Sequence, residues 1–433
     1  MAAQSLSKRV SGAIAALPTG TIPVGAGLLV QGVTTYGFQI LAFRLLGSGS
    51  YAALNGLWVT AFVLAPGLFL PLEQEVARAL AHRKSRGEGG KPLIGRALVL
   101  AAILVIAVII AVIALRGPIE ERLLRDSDVL FVALVVVLCS FAIESLAKGT
   151  LSGNGRFGRY GLTVGVDGFA RMALAALFAV VGFGTLGWFG AAFAIAPLIA
   201  SLCGLIGARG LVTPGPPAPM SELSTAIGWL LLGSTFAQML GYSAYIGASL
   251  LATPSQNAQL GAFIAGLFIA RIPLLLFQAV QAALLPKLAG LLGRGLVHDF
   301  RVGLARLVGI VMVASVAGVL LALLAGPLIG RVLFGTNFTL SGPALAALTA
   351  GCCLMVVALT MAQALIALRH YAITAFAWVA GVVVFIAIIA LPGGDVFVRS
   401  ELGFVVATLV SAVWMSYFAW RATSVEMLAH HTT

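Results

Sequence analysis

The sequence predicts an all-α polytopic membrane protein with about twelve transmembrane helices in two six-helix bundles. Hydrophobic residues make up 61% of its 433 residues and charged residues only 9%, whereas about a quarter of the residues in a soluble domain are charged. Apolar runs of about 20 residues, the length that crosses a bilayer as a helix, recur along the whole chain. The high number of glycines, 51, is typical of helices that pack closely in a membrane.

The apolar runs fall into two sets of six, separated by the Pro-rich stretch 209–222. This stretch is predicted to link an N-terminal bundle, residues 1–208, to a C-terminal bundle, residues 223–433. The predicted spans are 24–46, 51–77, 94–116, 129–149, 160–182 and 186–208 in the first half, and 223–250, 257–284, 301–325, 341–368, 371–391 and 401–421 in the second half.

A weak internal repeat relates the two halves. A Gly-Pro pair with an arginine about one turn later follows the third span, at 117–122, and the ninth span, at 326–331. An even number of spans in each half requires a parallel repeat, and duplicated bundles are typical of transporters that rock one half against the other. Chance similarity between apolar segments is the alternative.

The distribution of positive charge predicts the orientation of the chain. Most of the 26 Lys and Arg residues fall on the side that carries both termini if the number of spans is even. Because such residues collect in cytoplasmic loops, we expect both termini in the cytoplasm. The same rule accounts for the net charge of +12 without nucleic acid as a partner, since no basic stretch interleaved with aromatic residues lies outside the spans.

Two arginines lie deep in predicted spans, where an ionisable group needs a partner or a wet cavity. Arg171 lies near the middle of span five, with Asp167 one turn earlier on the same face. Arg271 lies at similar depth in span eight, where Pro273 is expected to open the backbone. We interpret the two arginines as facing one cleft, one from each half, where guanidinium groups suit phosphate. In the alternative, Asp167 and Arg171 form a structural pair and Arg271 bonds a backbone carbonyl.

Further polar residues in the spans complete the predicted site. Arg44 is a third candidate for phosphate binding, although its place near the outer end of span one also allows snorkelling to the interface. The polar side chains expected in the cavity are Asp167, Gln39, Asn55, Gln278 and Gln281. The candidates for a gate or for proton coupling are Glu73, Glu144 and Lys148, with salt bridges at the membrane surface as the alternative.

The sequence contains no pattern that indicates a metal site, a cofactor or an enzyme. The four cysteines, Cys139, Cys203, Cys352 and Cys353, lie in apolar runs without the spacing of metal ligands. No nucleophile–base pair stands out, and the predicted outer loops contain none of the five histidines. A membrane enzyme acting on lipid-linked sugar and a non-transporting scaffold are the rival interpretations.

Three short motifs follow predicted spans one, four and nine. They are Phe-Arg-Leu-Leu-Gly at 43–47 followed by Tyr51, Gly-Asn-Gly-Arg-Phe at 153–157 followed by Tyr160, and Leu-Phe-Gly-Thr-Asn-Phe at 333–338. In their order and position they resemble motifs of the polysaccharide flippases of the multidrug/oligosaccharidyl-lipid/polysaccharide (MOP) exporter superfamily. The resemblance extends over nearly the whole chain and implies two six-helix bundles around a central cavity.

The resemblance also implies a function. A protein of this kind flips a polyprenyl-(pyro)phosphate-linked saccharide from the inner to the outer leaflet of the bacterial cytoplasmic membrane by alternating access, for cell-envelope polysaccharide synthesis. The expected partners are this substrate, membrane lipids and glycan-synthesis enzymes, and coupling to an H⁺ or Na⁺ gradient stays open. In the related lipid II flippases, cavity arginines on spans including the eighth are implicated in binding the (pyro)phosphate, and only Arg271 matches them by span and depth.

The chain differs from the lipid II flippases in its number of spans, and another function within the superfamily is open. The chain has twelve predicted spans, not the fourteen of the lipid II flippases, which argues against lipid II as the substrate. A multidrug or metabolite antiporter of the same superfamily is the alternative function. A cation exporter needs carboxylates at the depth of the cavity, whereas the deepest unpaired charge in this sequence is basic.

Overall fold

A computed structural model of the chain describes residues 21–219, 227–277, 288, 291, 296–336 and 338–431. These residues form helices joined by short turns and contain no β-strand, so the predicted all-α class is confirmed. The end of the predicted linker, Asn337 of the third motif and the predicted cavity residues Gln278 and Gln281 lie outside the described residues.

The first half of the chain forms one long bent helix followed by shorter ones. They are α1 (Thr21–Ser85), α2 (Lys91–Ala114), α3 (Arg116–Ile119), a π-helical turn (Glu120–Leu124), α4 (Asp128–Gly153), α5 (Phe157–Val180) and α6 (Leu186–Leu205). Within α1, Gly47 has φ 71° and ψ 167°, a conformation that glycine adopts without steric cost. Gly47 therefore divides α1 into the segments 21–46 and 48–85, which correspond to predicted spans one and two.

The second half contains two interrupted spans. Its helices are α7 (Ile227–Gly241), α8 (Ser243–Leu251), α9 (Asn257–Ala270), α10 (Val297–Phe334), α11 (Gly342–Ala367), α12 (Tyr371–Ile389) and α13 (Val396–His431). Span seven is broken at Tyr242, between α7 and α8, and span eight at Arg271, after which the helix resumes to residue 277. The second break agrees with the expected effect of Pro273, because proline lacks an amide hydrogen and its ring crowds the preceding turn.

The number of membrane crossings agrees with the predicted number. Among the described residues, 10 helices are long and apolar enough to cross a membrane. The bent helix α1 covers two predicted spans, and the shorter helices α7 and α8 together cover another. The prediction for span nine was too short, because α10 continues through Pro327 to Phe334.

The helices of the first half pack around a cluster of aromatic side chains. The ring of Trp58 stacks on Phe62 and Phe193 with centroid distances of 4.7 and 4.8 Å, and Phe38 packs 5.9 Å from the same indole. These rings come from both segments of α1 and from α6, so the cluster fixes the arrangement of those helices. In contrast, only 22% of α2 and 6% of α10 are buried in their most apolar stretches, as expected for helices that face lipid.

At the end of the molecule that is predicted to face the cytoplasm, the linker is tied to α1. The buried side chain of Arg83 donates hydrogen bonds of 2.9–3.0 Å to the carbonyl oxygens of Gly89, Pro216 and Pro217. These charge-assisted bonds hold residues 209–219 against the first half of the chain. The domain boundaries at 208 and 223 stay predictions.

At the opposite end, which is predicted to face outward, the two halves touch. Arg44 at the end of the first α1 segment donates hydrogen bonds to the carbonyl oxygens of Leu333 (3.0 Å) and Val332 (2.8 Å) in the last turn of α10. The hydroxyl of Tyr245 donates to the carbonyl oxygen of Ala52 at 3.2 Å. We call this contact region the outer closure.

Candidate functional site

A cavity of about 400 Å³ lies between the second segment of α1, the helices α7, α11 and α12, and the residues that directly follow α9. It extends from Arg271 and Tyr242, about halfway along their spans, to Tyr371, the first residue of α12. Tyr371 lies at the predicted cytoplasmic end, whereas the outer closure lies beyond the opposite end of the cavity. The cavity therefore reaches towards the predicted cytoplasmic side in this conformation.

Arg271 is held in the wall of the cavity by an aromatic ring. It directly follows α9, and the carbon at the centre of its guanidinium group lies 3.7 Å from the ring centroid of Tyr242, at the break between α7 and α8. Among the described residues, no carboxylate pairs with Arg271. The cation–π contact positions the guanidinium without using its N–H donors, so these remain available to an anionic ligand.

The rest of the wall is aromatic or polar and uncharged. Its aromatic residues are Phe62, Trp229, Tyr242, Tyr371 and Trp378, and its uncharged polar side chains are Gln74, Ser234, Gln238, Gln363 and Thr374. Among the described lining residues, Arg271 is thus the single side chain that carries a charge at neutral pH. Rings offer apolar faces and amides offer both donors and acceptors, which together suit a hydroxylated ligand.

Two hydrogen bonds from α7 fix the cavity wall against α1. The amide nitrogen of Gln238 donates to the carbonyl oxygen of Phe62 at 3.0 Å. One turn earlier, the hydroxyl of Ser234 donates to the carbonyl oxygen of Gly67. The first and second halves of the chain therefore meet along one side of the cavity.

Arg171 does not share this cavity. Its side chain is 1% exposed and donates to both carboxylate oxygens of Asp167 at 2.7 and 2.8 Å. Trp58 and Phe193 cover the guanidinium at 4.9 and 5.0 Å, and Gln31 donates to Asp167 at 3.0 Å. The expectation that Arg171, Asp167 and Arg271 face one cleft is wrong for this conformation, because the carboxylate and the rings enclose Arg171 within the first half.

Three other predicted site residues lie outside the cavity wall. Gln39 and Asn55 are 1% and 0% exposed and belong to the part of α1 that leads to the outer closure. Arg44 lies in the outer closure itself, where it binds the last carbonyls of α10. Placing Gln39 and Asn55 in the cavity was wrong for this conformation, since the sequence does not show which side of the interface between the halves is closed. Phosphate binding by Arg44 stays a prediction.

The gate candidates form one cluster within the first half. Lys148 lies between Glu73 at 3.3 Å and Glu144 at 3.6 Å, and the hydroxyl of Tyr160 donates to Glu73 at 2.9 Å. Because α1, α4 and α5 contribute all four residues, the cluster joins neighbouring helices and does not bridge the two halves. A role in proton coupling stays a prediction.

The predicted site does not include the residues that shape the cavity around Arg271. Gln238, Tyr242 and Tyr245 recur at the spacing of one helix face, and each of them contacts α1 or the cavity. This polar stripe in an otherwise apolar span is a signal that could have been found. The aromatic wall formed by Trp229 and Trp378 carries no comparable signal, since such residues are also common in lipid-facing positions.

Sequence comparisons find relatives that extend over most of the chain. No family model matches the chain. Two uncharacterized proteins of Mycobacterium tuberculosis are 27% and 28% identical to it, over 387 and 400 residues. The first covers 85% of both chains, and the second covers 87% of this chain and 88% of its own.

Solved structures of transporters share the fold. An inward-facing multidrug resistance MATE family transporter of the MOP superfamily matches with a TM-score of 0.72 and 16% identity, covering 94% of this chain and 99% of its own. The outward-facing conformation of such a transporter matches with a TM-score of 0.66 and 17% identity, covering 94% and 95%.

A third match is a MOP superfamily transporter from Pyrococcus furiosus, described as having a binding pocket of reverse polarity that suggests a different function. It matches with a TM-score of 0.65 and 18% identity, covering 93% and 95% of the two chains. The chain is therefore a multi-pass membrane protein with the fold of MOP superfamily transporters.

Proposed function

We propose that the protein is a transporter of the MOP superfamily that flips a polyprenyl-(pyro)phosphate-linked saccharide from the inner to the outer leaflet of the bacterial cytoplasmic membrane. The observation that carries the proposal is Arg271, a cation that pairs with no described carboxylate and lies in a cavity whose other described lining residues are uncharged. Such a site attracts an anion, and the attraction is stronger within the membrane than in water because the local dielectric constant is lower.

Different residues of the cavity are placed to bind the phosphate and the sugar of the head group. A phosphate accepts hydrogen bonds from the guanidinium of Arg271, which Tyr242 holds in place. Sugar rings pack on Trp229 and Trp378, and their hydroxyls bond the amides of Gln238 and Gln363. The polyprenyl tail stays in the lipid. Opening of the outer closure then exposes the head group on the other side, as alternating access requires.

Cation export is the weaker alternative. Some neighbours in the fold are multidrug resistance transporters, but a site for cations needs acidic groups, and none occurs among the described lining residues of this cavity. The description of the Pyrococcus furiosus transporter indicates that pocket polarity differs within this fold. A positively charged cavity supports an anionic substrate for this chain.

Two accompanying proposals concern energy and partners. We propose that an H⁺ or Na⁺ gradient drives transport, with Glu73 and Glu144 as candidate coupling residues. Lys148 lies beside both carboxylates but its single positive charge balances only one of them. Association with glycan-synthesis enzymes follows from the proposed substrate, since these enzymes produce and consume the lipid-linked sugar. Both proposals depend on the flippase function.

The proposal is tested by flipping in proteoliposomes. The reconstituted protein is given a polyprenyl-phosphate-linked saccharide with a fluorescent sugar, and access of a membrane-impermeant quencher reports the leaflet. We expect fast exchange of this lipid and none of a matched lipid that carries the same sugar without the phosphate. Equal rates for both lipids, rates no faster than in empty liposomes, or transport of cationic dyes instead would contradict the proposal.

A further inference from the structure

Gln39 lies on the face of α1 that packs against the second half of the chain. One turn before it, the hydroxyl of Tyr36 donates to the carbonyl oxygen of Phe268 at 2.9 Å. One turn after it, the ring of Phe43 lies 5.3 Å from that of Phe334. Because residues at this spacing share one helix face, the side chain of Gln39 points into the interface between the two halves.

The amide of Gln39 is buried, and no described residue forms a hydrogen bond with it. The residue is 1% exposed, and neither its amide oxygen nor its amide nitrogen has a hydrogen-bond partner among the described residues. Gln31, two turns earlier on the same helix, donates to Asp167 at 3.0 Å. A buried amide destabilises the protein unless it is bonded, so Gln39 fits a state of the molecule in which water or a ligand reaches it.

A second amide lies on the same closed side of the cavity. Asn55 is 0% exposed, and its amide nitrogen donates to the carbonyl oxygen of Tyr51 at 3.0 Å, but its amide oxygen has no partner among the described residues. It is one turn from Ala52, whose carbonyl oxygen accepts the hydrogen bond of Tyr245 in the outer closure. Both amides therefore lie where the two halves are pressed together.

We infer that Gln39 and Asn55 form a second head-group site, which is occluded in this conformation and opens to the outer side when the halves separate there. Amides donate to and accept from hydroxyls, so the ligand class is the hydroxylated, saccharide part of the head group. The inference rests on the proposed flippase function, because it needs alternating access. Arg271 binds the head group on the predicted cytoplasmic side, and the two amides receive it on its way out.

The first test asks whether the site opens to the outer side. The four cysteines are replaced by alanine, Gln39→Cys is introduced, and labelling by a membrane-impermeant maleimide added outside is measured with and without Arg44→Ala. Removing the two hydrogen bonds of Arg44 weakens the outer closure, so we expect labelling of the cysteine at position 39 to rise about tenfold.

Ser140→Cys is the matched control for this test. Ser140 is 0% exposed, and its hydroxyl is satisfied by the carbonyl oxygen of Val136 within α4 at 2.7 Å. A cysteine there should stay protected in both backgrounds. The inference is overturned if the cysteine at position 39 also stays protected, or if both cysteines become labelled together, which would indicate general unfolding.

The second test asks whether the amide of Gln39 contributes to flipping of the substrate. Gln39→Leu, or Gln39→Met if the first variant folds poorly, keeps the volume and removes the hydrogen-bonding groups. We expect flipping to fall about tenfold, while a water-soluble sugar phosphate binds the cavity of the variant as in the unchanged protein. Unchanged flipping would overturn the inference. If the unchanged protein flips no lipid-linked saccharide, the proposed function fails, and maleimide labelling still decides whether the amides open outward.

Discussion

Two arginines at similar depth in the membrane have opposite surroundings. Arg171 is enclosed by Asp167 and by the rings of Trp58 and Phe193 within the first half of the chain. Arg271 lines a cavity, stacks on Tyr242, and has no carboxylate partner among the described residues. The first arginine has its counter-ion inside the protein, whereas the second requires one from outside.

Depth in the membrane alone therefore does not identify a binding residue. A buried charge is stable only if it is paired or hydrated, and the two arginines meet this requirement in different ways. Asp167 lies one turn from Arg171, so the pair forms as soon as α5 folds. Arg271 lies at a break in its helix beside a cavity, where solvent or a ligand completes its surroundings.

The Arg171→Met variant should show a greater loss than any other variant proposed here, and this loss is in stability. Removing one member of a buried ion pair leaves the carboxylate of Asp167 without its counter-ion, which costs about 3–5 kcal/mol of unfolding free energy. The measurement is denaturant unfolding in detergent, followed by tryptophan fluorescence. The Asp167→Leu, Arg171→Met double variant should recover most of the loss, because an apolar pair leaves no unpaired charge. A single variant as stable as the unchanged protein would place Arg171 in a hydrated site after all.

The next effect separates the ring of Tyr242 from its hydroxyl. Tyr242→Leu removes the cation–π contact that holds Arg271, which is worth about 0.5–2 kcal/mol. Binding of a sugar phosphate, measured by calorimetry, should therefore weaken about twofold to thirtyfold. Tyr242→Phe keeps the ring and should bind nearly as the unchanged protein does. Equal losses in both variants would show that the hydroxyl, and not the ring, is the contributing group.

The third effect is on the conformational equilibrium at the outer closure and not on unfolding. Arg44→Ala removes two hydrogen bonds to the end of α10, each with a net value of about 0.5–1.5 kcal/mol. The equilibrium should shift towards separation of the outer ends, while unfolding free energy changes little because Arg44 is exposed. Distances between spin labels at the bend of α1 near Gly47 and at the outer end of α10 measure this shift. A distribution that does not change would remove Arg44 from the closing contacts.

Sequence reasoning succeeded where the relevant contacts are local. The spacing of Asp167 and Arg171 predicts their pairing as the alternative to a shared cleft, and the structure has that pair. Pro273 predicts the helix break at Arg271, and the break is present. Both features depend on residues within one turn, so the sequence contains the information needed.

Long-range contacts could not be predicted in the same way. Arg44 binds the carbonyl oxygens of residues 332 and 333, which are far away in the sequence. Because every residue has a backbone carbonyl, the sequence does not indicate which one accepts these hydrogen bonds. Gln39 and Asn55 stand out in the sequence as polar residues in apolar spans, but their exposure depends on which side of the interface is open. The fold class followed from composition and periodicity, whereas the position of the cavity required the packing of the two halves.

The most direct test of the account compares Arg271→Gln with Arg171→Gln for sugar-phosphate binding and for thermal stability in the same preparations. We predict that Arg271→Gln loses about tenfold to a hundredfold in binding, as expected when a charge-assisted hydrogen bond is lost, and melts like the unchanged protein. Arg171→Gln should melt at a lower temperature, while its folded fraction binds normally. Normal binding by Arg271→Gln, or lost binding by a stable Arg171→Gln, would contradict the account.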